Sequence, residues 1–229
     1  LLGFIGAHEW HKKGINIPQL NGKIHVPFGV FSPLRGEYLD LITQAPLAPN
    51  IQTAFDIGTG SGVIAAILAK RGIPDIIATD TNPKAIACAT TNLKRLGLDK
   101  AVSIQSIDLF PESCADLIVC NPPWLPAKPT SAIETALYDP NNAMLTAFLN
   151  GVRHYLNPNG EAWLIISDLA EHLHLRDKDF LNQCFQTASL NVVDILKTKP
   201  QHKKAIDESD PLAFARNKET TYLYRLKTK

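Results

Sequence analysis

From Ile51 onward, short apolar runs alternate with segments of helical periodicity, and that alternation leaves few folds open. Thr53 to Ile57, Asp75 to Thr79, Ala101 to Gln105, Asp116 to Val119, Ala162 to Ile166, Asn191 to Leu196 and Thr220 to Leu226 read as strands. Ser61 to Arg71, Pro83 to Leu96, Met144 to Tyr155 and Leu169 to Ala188 read as helices. Pro83 suits a first helical turn, and Asn157-Pro158-Asn159-Gly160 reads as the turn that ends the third helix. Several strands are apolar throughout, which requires cover on both faces. The expected fold is therefore α/β: a Rossmann-like, seven-stranded, mostly parallel sheet with helices on both faces. Residues 1–50, punctuated by Pro and Gly, read as an N-terminal extension entering the main domain at 51–229. Within the extension Lys23 to Val26 suggests a short strand and Glu37 to Gln44 a short helix.

Composition narrows the setting. Hydrophobic residues at 45% and charged residues at 20% suit a globular domain in water. No apolar run approaches the roughly 18 residues of a membrane span, so no membrane partner is expected. A net charge of +1 gives no global pull toward nucleic acid. Four cysteines, Cys88, Cys114, Cys120 and Cys184, form no CxxC pair. Free thiols in a reducing cytoplasm are expected, with no metal site. The chain starts at Leu1-Leu2 without a methionine, as a trimmed or partial chain would, and its first six residues are too short for a signal peptide.

The turn after the first strand of the main domain carries the densest chemistry, Asp56-Ile57-Gly58-Thr59-Gly60-Ser61-Gly62. In an open α/β sheet, ligands sit beyond the carboxyl ends of the strands, near the switch point. Glycines there let backbone approach a ligand closely. A dinucleotide fingerprint would be GxGxxG, and a carboxylate beside the loop would repel a pyrophosphate. GxGxG preceded by Asp56 suits instead a ligand bearing ammonium and sulfonium groups. Asp80 ends the second strand about twenty residues on, the place of an acid that accepts from ribose hydroxyls; capping of the helix near Pro83 is the bland alternative. Asp108 follows the third strand, placed either to accept from an adenine amino group or to stabilise a turn.

The next strand leaves the sheet through Val119-Cys120-Asn121-Pro122-Pro123-Trp124. Neither proline can donate a ladder hydrogen bond, so the strand must end there. Taken with the glycine loop and both acids, the chain resembles class I S-adenosylmethionine-dependent methyltransferases of the methyltransferase small domain group. Asp56 to Gly62 is similar to that fold's first motif, Asp80 to its ribose acid, and Asp108 to its adenine-side acid. Asn121 to Trp124 resembles the (N/D)PP(Y/F/W) motif of amino-group methyltransferases. Those enzymes modify glutamine amides of release factors and ribosomal proteins, or the exocyclic amine of adenine in RNA or DNA. Two looser likenesses, Phe31 to Glu37 and Tyr138-Asp139-Pro140, point to the glutamine branch.

The resemblance implies a cofactor, S-adenosyl-L-methionine, bound by Asp56, Gly58, Gly60, Asp80, Asp108 and Asn121. It also implies an acceptor site at Asn121, Pro122 and Trp124. An amide or aromatic amine nitrogen has a delocalised lone pair and is a poor nucleophile. Asn121 can accept one of its N–H groups and the Pro122 carbonyl the other, while Pro123 stiffens the backbone and Trp124 stacks on the flat acceptor. The methyl acceptor is then a protein glutamine or a nucleic-acid base, with RNA ahead of DNA, and the setting cytoplasmic.

Two other classes compete. A nicotinamide-dependent oxidoreductase would want GxGxxG and no Asp56. A cofactor-binding module without catalysis would not need Asn121. Cys120 invites a covalent thiolate mechanism, yet its strand position opposes it to Asn121 and suits a buried thiol. His8 and His11 lack a third metal ligand nearby. His172 and His174 follow the fifth strand at the ligand end of the sheet, where they line a pocket or merely follow a helix cap. Lys197 to Lys204 is the one dense basic cluster, and Arg35 and Glu37 sit where a cofactor could be covered.

Overall fold

A computed structural model describes residues 12–33, 36–126, 138–200 and 213–229. A short antiparallel pair, β1 (Ile15–Ile17) and β2 (Gly22–Ile24), precedes helix α1 (Glu37–Gln44). Seven strands then build one sheet: β3 (Thr53–Ile57), β4 (Asp75–Thr79), β5 (Val102–Gln105), β6 (Ala115–Cys120), β7 (Leu156–Ser167), β8 (Leu190–Thr198) and β9 (Thr221–Thr228). Their spatial order is β5-β4-β3-β6-β7-β9-β8. β3 pairs in parallel with both β4 and β6, and β9 runs antiparallel to β7 and β8. The chain thus turns outward in both directions from β3 and β6, and the switch point lies between them.

Helices α2 (Val63–Lys70), α3 (Pro83–Arg95), α4 (Ala143–Val152), α5 (Leu169–His172), α6 (Phe180–Thr187) and α7 (Ala213–Arg216) complete the order. Successive strand residues point to opposite faces, and both faces are covered. Ala54, Leu117, Val119, Trp163 and Ile165 join α1, α2 and α3 in one cluster. Phe55, Ile118, Leu164 and Ile166 join α4 and α6 in the other. Each such apolar side chain contributes roughly 1.5–3 kcal/mol on burial, which explains why the central strands carry no polar alternation.

Part of the N-terminal segment packs into the first cluster through Ile17, Leu20, Ile24, Tyr38, Leu39 and Ile42. Arg71, at the end of α2, donates to the carbonyls of Ile42 and Ala45 and lies 5.7 Å over the Trp163 ring. This fastens α1 to the sheet.

The elements depart from expectation in two places. The helix expected over Leu169 to Ala188 is two, α5 and α6, because His174 takes a left-handed φ of 57° and Leu175 N–H returns to the Ala170 carbonyl. The turn expected at Asn157 to Gly160 instead lies inside β7, and α4 stops at Val152. Pairing with β6 jumps from Ala115–Leu156 to Leu117–Glu161, so these four residues form an irregularity in the ladder. Asn157 Nδ2 donates to Asp116 Oδ1 at 2.8 Å and fixes it there. The turn chemistry is present, but the strand resumes around it.

Candidate active site

The last residues in register between β3 and β6 are Ile57 and Cys120. Gly58 and Asn121 therefore leave the sheet side by side at its switch point. The glycine loop and the NPPW loop, whose first residues Gly58 and Asn121 are 63 apart in sequence, share one end of the sheet.

The loop after β3 is held from beneath by Asp56, which is 1% exposed. Its Oδ2 accepts from Thr59 Oγ1 at 2.6 Å and from the Ala65 N–H at 3.0 Å. Burial pushes its carboxyl up to about 6, against donation by Thr59 and Ala65 and with the nearby charge of Asp80 adding to the rise. Gly58, Gly60 and Gly62 all have positive φ, but they do different work. A Cβ on Gly62 would meet Ala89 Cα at 3.1 Å, so this glycine lets α3 pack against the loop. A Cβ on Gly58 would come within 2.7 Å of Met144 Cε. Gly60 has open space, with only the Gly58 carbonyl at 4.0 Å, and is where a ligand can approach backbone.

Asp80, at the end of β4, accepts from the Gly60 N–H at 2.9 Å through Oδ2 and from the Asn82 N–H at 2.8 Å through Oδ1. Each carboxylate oxygen has further lone pairs, so ribose hydroxyls remain within its capacity. Asn82, not Asp80, caps α3, its side chain accepting from the Lys84 N–H. Asp108 is exposed, just past β5, and Thr79 Oγ1 donates to the neighbouring Leu109 carbonyl at 2.7 Å. Asp56, Gly58, Gly60 and Asp80 are thus gathered directly, with Asp108 on an adjoining turn.

Beyond β6, Asn121 is half-buried and Pro122 buried. Trp124 Nε1–H donates to Asn121 Oδ1 at 2.9 Å, a contact that motif and spacing did not suggest. The Trp124 ring meets Tyr38 edge-on, with centroids 6.5 Å apart. Cys120 is fully buried, and burial raises its thiol well above the ordinary range, helped by Asp56 and Asp139. A thiol so held is a poor nucleophile.

Three further residues shape the site, of which only Asp139, within Tyr138-Asp139-Pro140, is marked in the sequence. Asp139 accepts from the Met144 and Leu145 N–H groups and so caps α4, while its own N–H donates to the Leu125 carbonyl. Asn92 donates to the carbonyls of His25 and Ser61, tying the N-terminal segment to the glycine loop. Arg176 is buried, pairs with Glu171 at 2.9 Å and donates to the Ser167 carbonyl. The partners of Asp139 on α4, and Glu171 and Ser167 for Arg176, lie within ten residues of them, whereas only the fold brings Asn92 to His25 and Ser61.

His172 Nε2 lies 3.5 Å from Asp168 Oδ1 and helps line a cavity of about 230 Å³ at the end of β7, with Ser167, Glu171 and Tyr222. His174 is not among its lining residues. Among the described residues no group of three His, Cys, Asp or Glu is arranged to hold a metal, and no helix is long and apolar enough to cross a membrane. His8, His11, Arg35 and Gln201 to Lys204 lie outside the described residues.

The chain as a whole is similar to known proteins. A family model described as "methyltransferase small domain" matches residues 23–195. A release factor glutamine methyltransferase of Cereibacter sphaeroides is 34% identical over 140 residues, 55% of this chain and 50% of that protein. A tRNA1(Val) (adenine(37)-N6)-methyltransferase of Cytophaga hutchinsonii is 34% identical over 131 residues, 53% of this chain and 54% of that protein. The chain thus spans about half the length of these curated relatives. Among solved structures, a SAM-dependent methyltransferase from Geobacter sulfurreducens in complex with S-adenosyl-L-homocysteine superposes with a TM-score of 0.55 at 16% identity. It covers 93% of this chain and 96% of that one, a likeness of fold.

Proposed function

The chain belongs to the methyltransferase small domain family, and from that premise we propose that it binds S-adenosyl-L-methionine at the glycine loop and methylates a planar nitrogen at the NPPW loop. The observation that carries this is the adjacency of the two loops: Gly58 and Asn121 follow the register pair Ile57–Cys120. This adjacency supports a cofactor at one loop and an acceptor at the other, close enough for methyl transfer.

The donor set fits the cofactor. Asp80 has lone pairs to spare for ribose hydroxyls, Gly60 offers open backbone, and Asp56 lies beneath the loop where it favours a cationic ligand. Asp108 is the proposed partner of the adenine amino group. When bound, the cofactor supplies an activated methyl on a positively charged sulfur. The protein's share is to position and desolvate. Asn121 Oδ1 and the Pro122 carbonyl accept the two N–H groups of the acceptor, turning its lone pair toward the methyl. Pro123 fixes that carbonyl, and Trp124 gives the slot a flat wall. The proton departs to water after transfer, so no strong base is needed.

The acceptor we propose first is a glutamine side-chain amide of a protein. The Cereibacter relative is named for that reaction, and a net charge of +1 offers little pull on a polyanion. The Cytophaga relative, named for a tRNA adenine, supports an exocyclic amine as the second reading. Incubation with tritiated S-adenosylmethionine and a lysate, followed by nuclease or protease, separates them. Label that survives nuclease and is released by protease is expected. Nuclease-sensitive label would select the base, and no labelled macromolecule would contradict both.

A further inference from the structure

Two consecutive prolines bend the chain between Asn121 and Trp124, bringing the indole back onto the asparagine three residues earlier. We propose that Trp124 is a positioning residue: its indole N–H locks the Asn121 amide so that the oxygen, not the NH₂ group, faces the methyl acceptor. This rests on the acceptor role proposed above for Asn121.

Three features of the site argue for it. An amide can present either its oxygen or its NH₂ group, and only the oxygen accepts an N–H. The 2.9 Å bond from Trp124 Nε1 decides which end is the oxygen. An amide oxygen also has two lone pairs, so the indole takes one and leaves the other for the acceptor. Finally, the ring is wedged in place. It lies edge-on to Tyr38, itself 1% exposed, with planes 86° apart, and packs against both core clusters. Displacing it would expose that apolar contact, so the indole stays when the acceptor arrives. The acceptor then meets a preformed site rather than ordering one.

The residue type matters. A phenyl ring has no donor, and a phenol carries its hydroxyl at the far tip of the ring. Of the phenyl, phenol and indole rings, only the indole combines a broad flat face with an N–H on its flank, where an oxygen three residues back can be reached.

Trp124→Phe keeps a flat ring and removes the donor. With an unmethylated release factor and, separately, unmodified tRNA as acceptors, the expected result is a kcat about five- to tenfold lower, the scale of one neutral hydrogen bond. The KM for S-adenosylmethionine should be unchanged. In an Asn121→Ala background the same substitution should cost nothing further, because its partner is gone. A loss that is equal in both backgrounds, no loss at all, or a gain in kcat overturns the proposal, a gain because it would make the indole a competitor for the oxygen. Without any substrate, the Trp124 indole N–H, identified by its disappearance in Trp124→Phe, should exchange slowly with solvent in the wild type and quickly in Asn121→Ala. Fast exchange in the wild type sinks the lock while leaving the acceptor reading standing. Failure of the wild type to methylate either macromolecule sinks the acceptor reading and the lock with it.

Discussion

The carboxyl of Asp56 sits under the glycine loop, shut away from water, and burial raises it from 3.8 to about 6. The folded chain therefore holds that proton more tightly than the unfolded chain does. The stabilisation this gives is fully present below about pH 3.8 and is lost as the pH rises through about 6. The difference amounts to about 3 kcal/mol. Asp56→Asn cannot titrate but can still accept from Thr59 and Ala65. Urea unfolding from pH 4 to pH 7 should show the stability of wild type falling by about 2 kcal/mol relative to the variant, most of that difference. A gap that does not change with pH would place the perturbed group elsewhere. A cationic ligand above the loop favours the ionised form, so the affinity for S-adenosylmethionine, with its sulfonium charge, should climb as the pH passes about 6, and Asp56→Asn should lose that climb.

Between one element and the next, the three loop glycines divide their labour, and substitution should separate them. Gly62→Ala places a methyl 3.1 Å from Ala89 Cα at a φ of 81°, so α3 must move away from the loop. The expected cost is about 2–4 kcal/mol, read as a lowered Tm. Gly60→Ala, in open space, should cost about 1 kcal/mol in stability yet weaken S-adenosylhomocysteine binding sharply. If Gly62→Ala were the milder of the two in Tm, the packing role would be wrong. The glycine pattern itself was legible because its spacing is local, but its division into ligand-facing and helix-facing positions was not. That depends on Ala89, 27 residues away in sequence. The same holds for the ladder irregularity at Asn157 to Gly160: local signals marked a turn, while the partner that holds it within the ladder, Asp116, comes from the neighbouring strand β6. The helix break at His174 is local, a left-handed residue followed by the return of the Leu175 N–H to the Ala170 carbonyl, and apolar periodicity does not report it. The bond from Trp124 to Asn121 is local in sequence, but two intervening prolines make its geometry unreadable from spacing alone.

Across the whole molecule, alternating apolar strands and helices led to the seven-stranded, doubly covered sheet, and the structure adds the order β5-β4-β3-β6-β7-β9-β8. That order sets β3 beside β6. Two motifs that start 63 residues apart, at Gly58 and Asn121, become neighbours through it, and the proposed activity depends on the pair rather than on either motif. Asn92 and Arg71 then fasten the N-terminal segment onto the same side of the sheet, through the carbonyls of His25, Ser61, Ile42 and Ala45. The most direct test compares wild type with Asn121→Ala in two measurements: calorimetric binding of S-adenosylhomocysteine, and transfer of tritiated methyl to the acceptor fraction of a lysate. The variant should bind within about twofold of wild type, a difference of less than 1 kcal/mol, and transfer about a hundredfold more slowly. Equal binding with undiminished transfer would contradict the role of Asn121, and with it the proposed site.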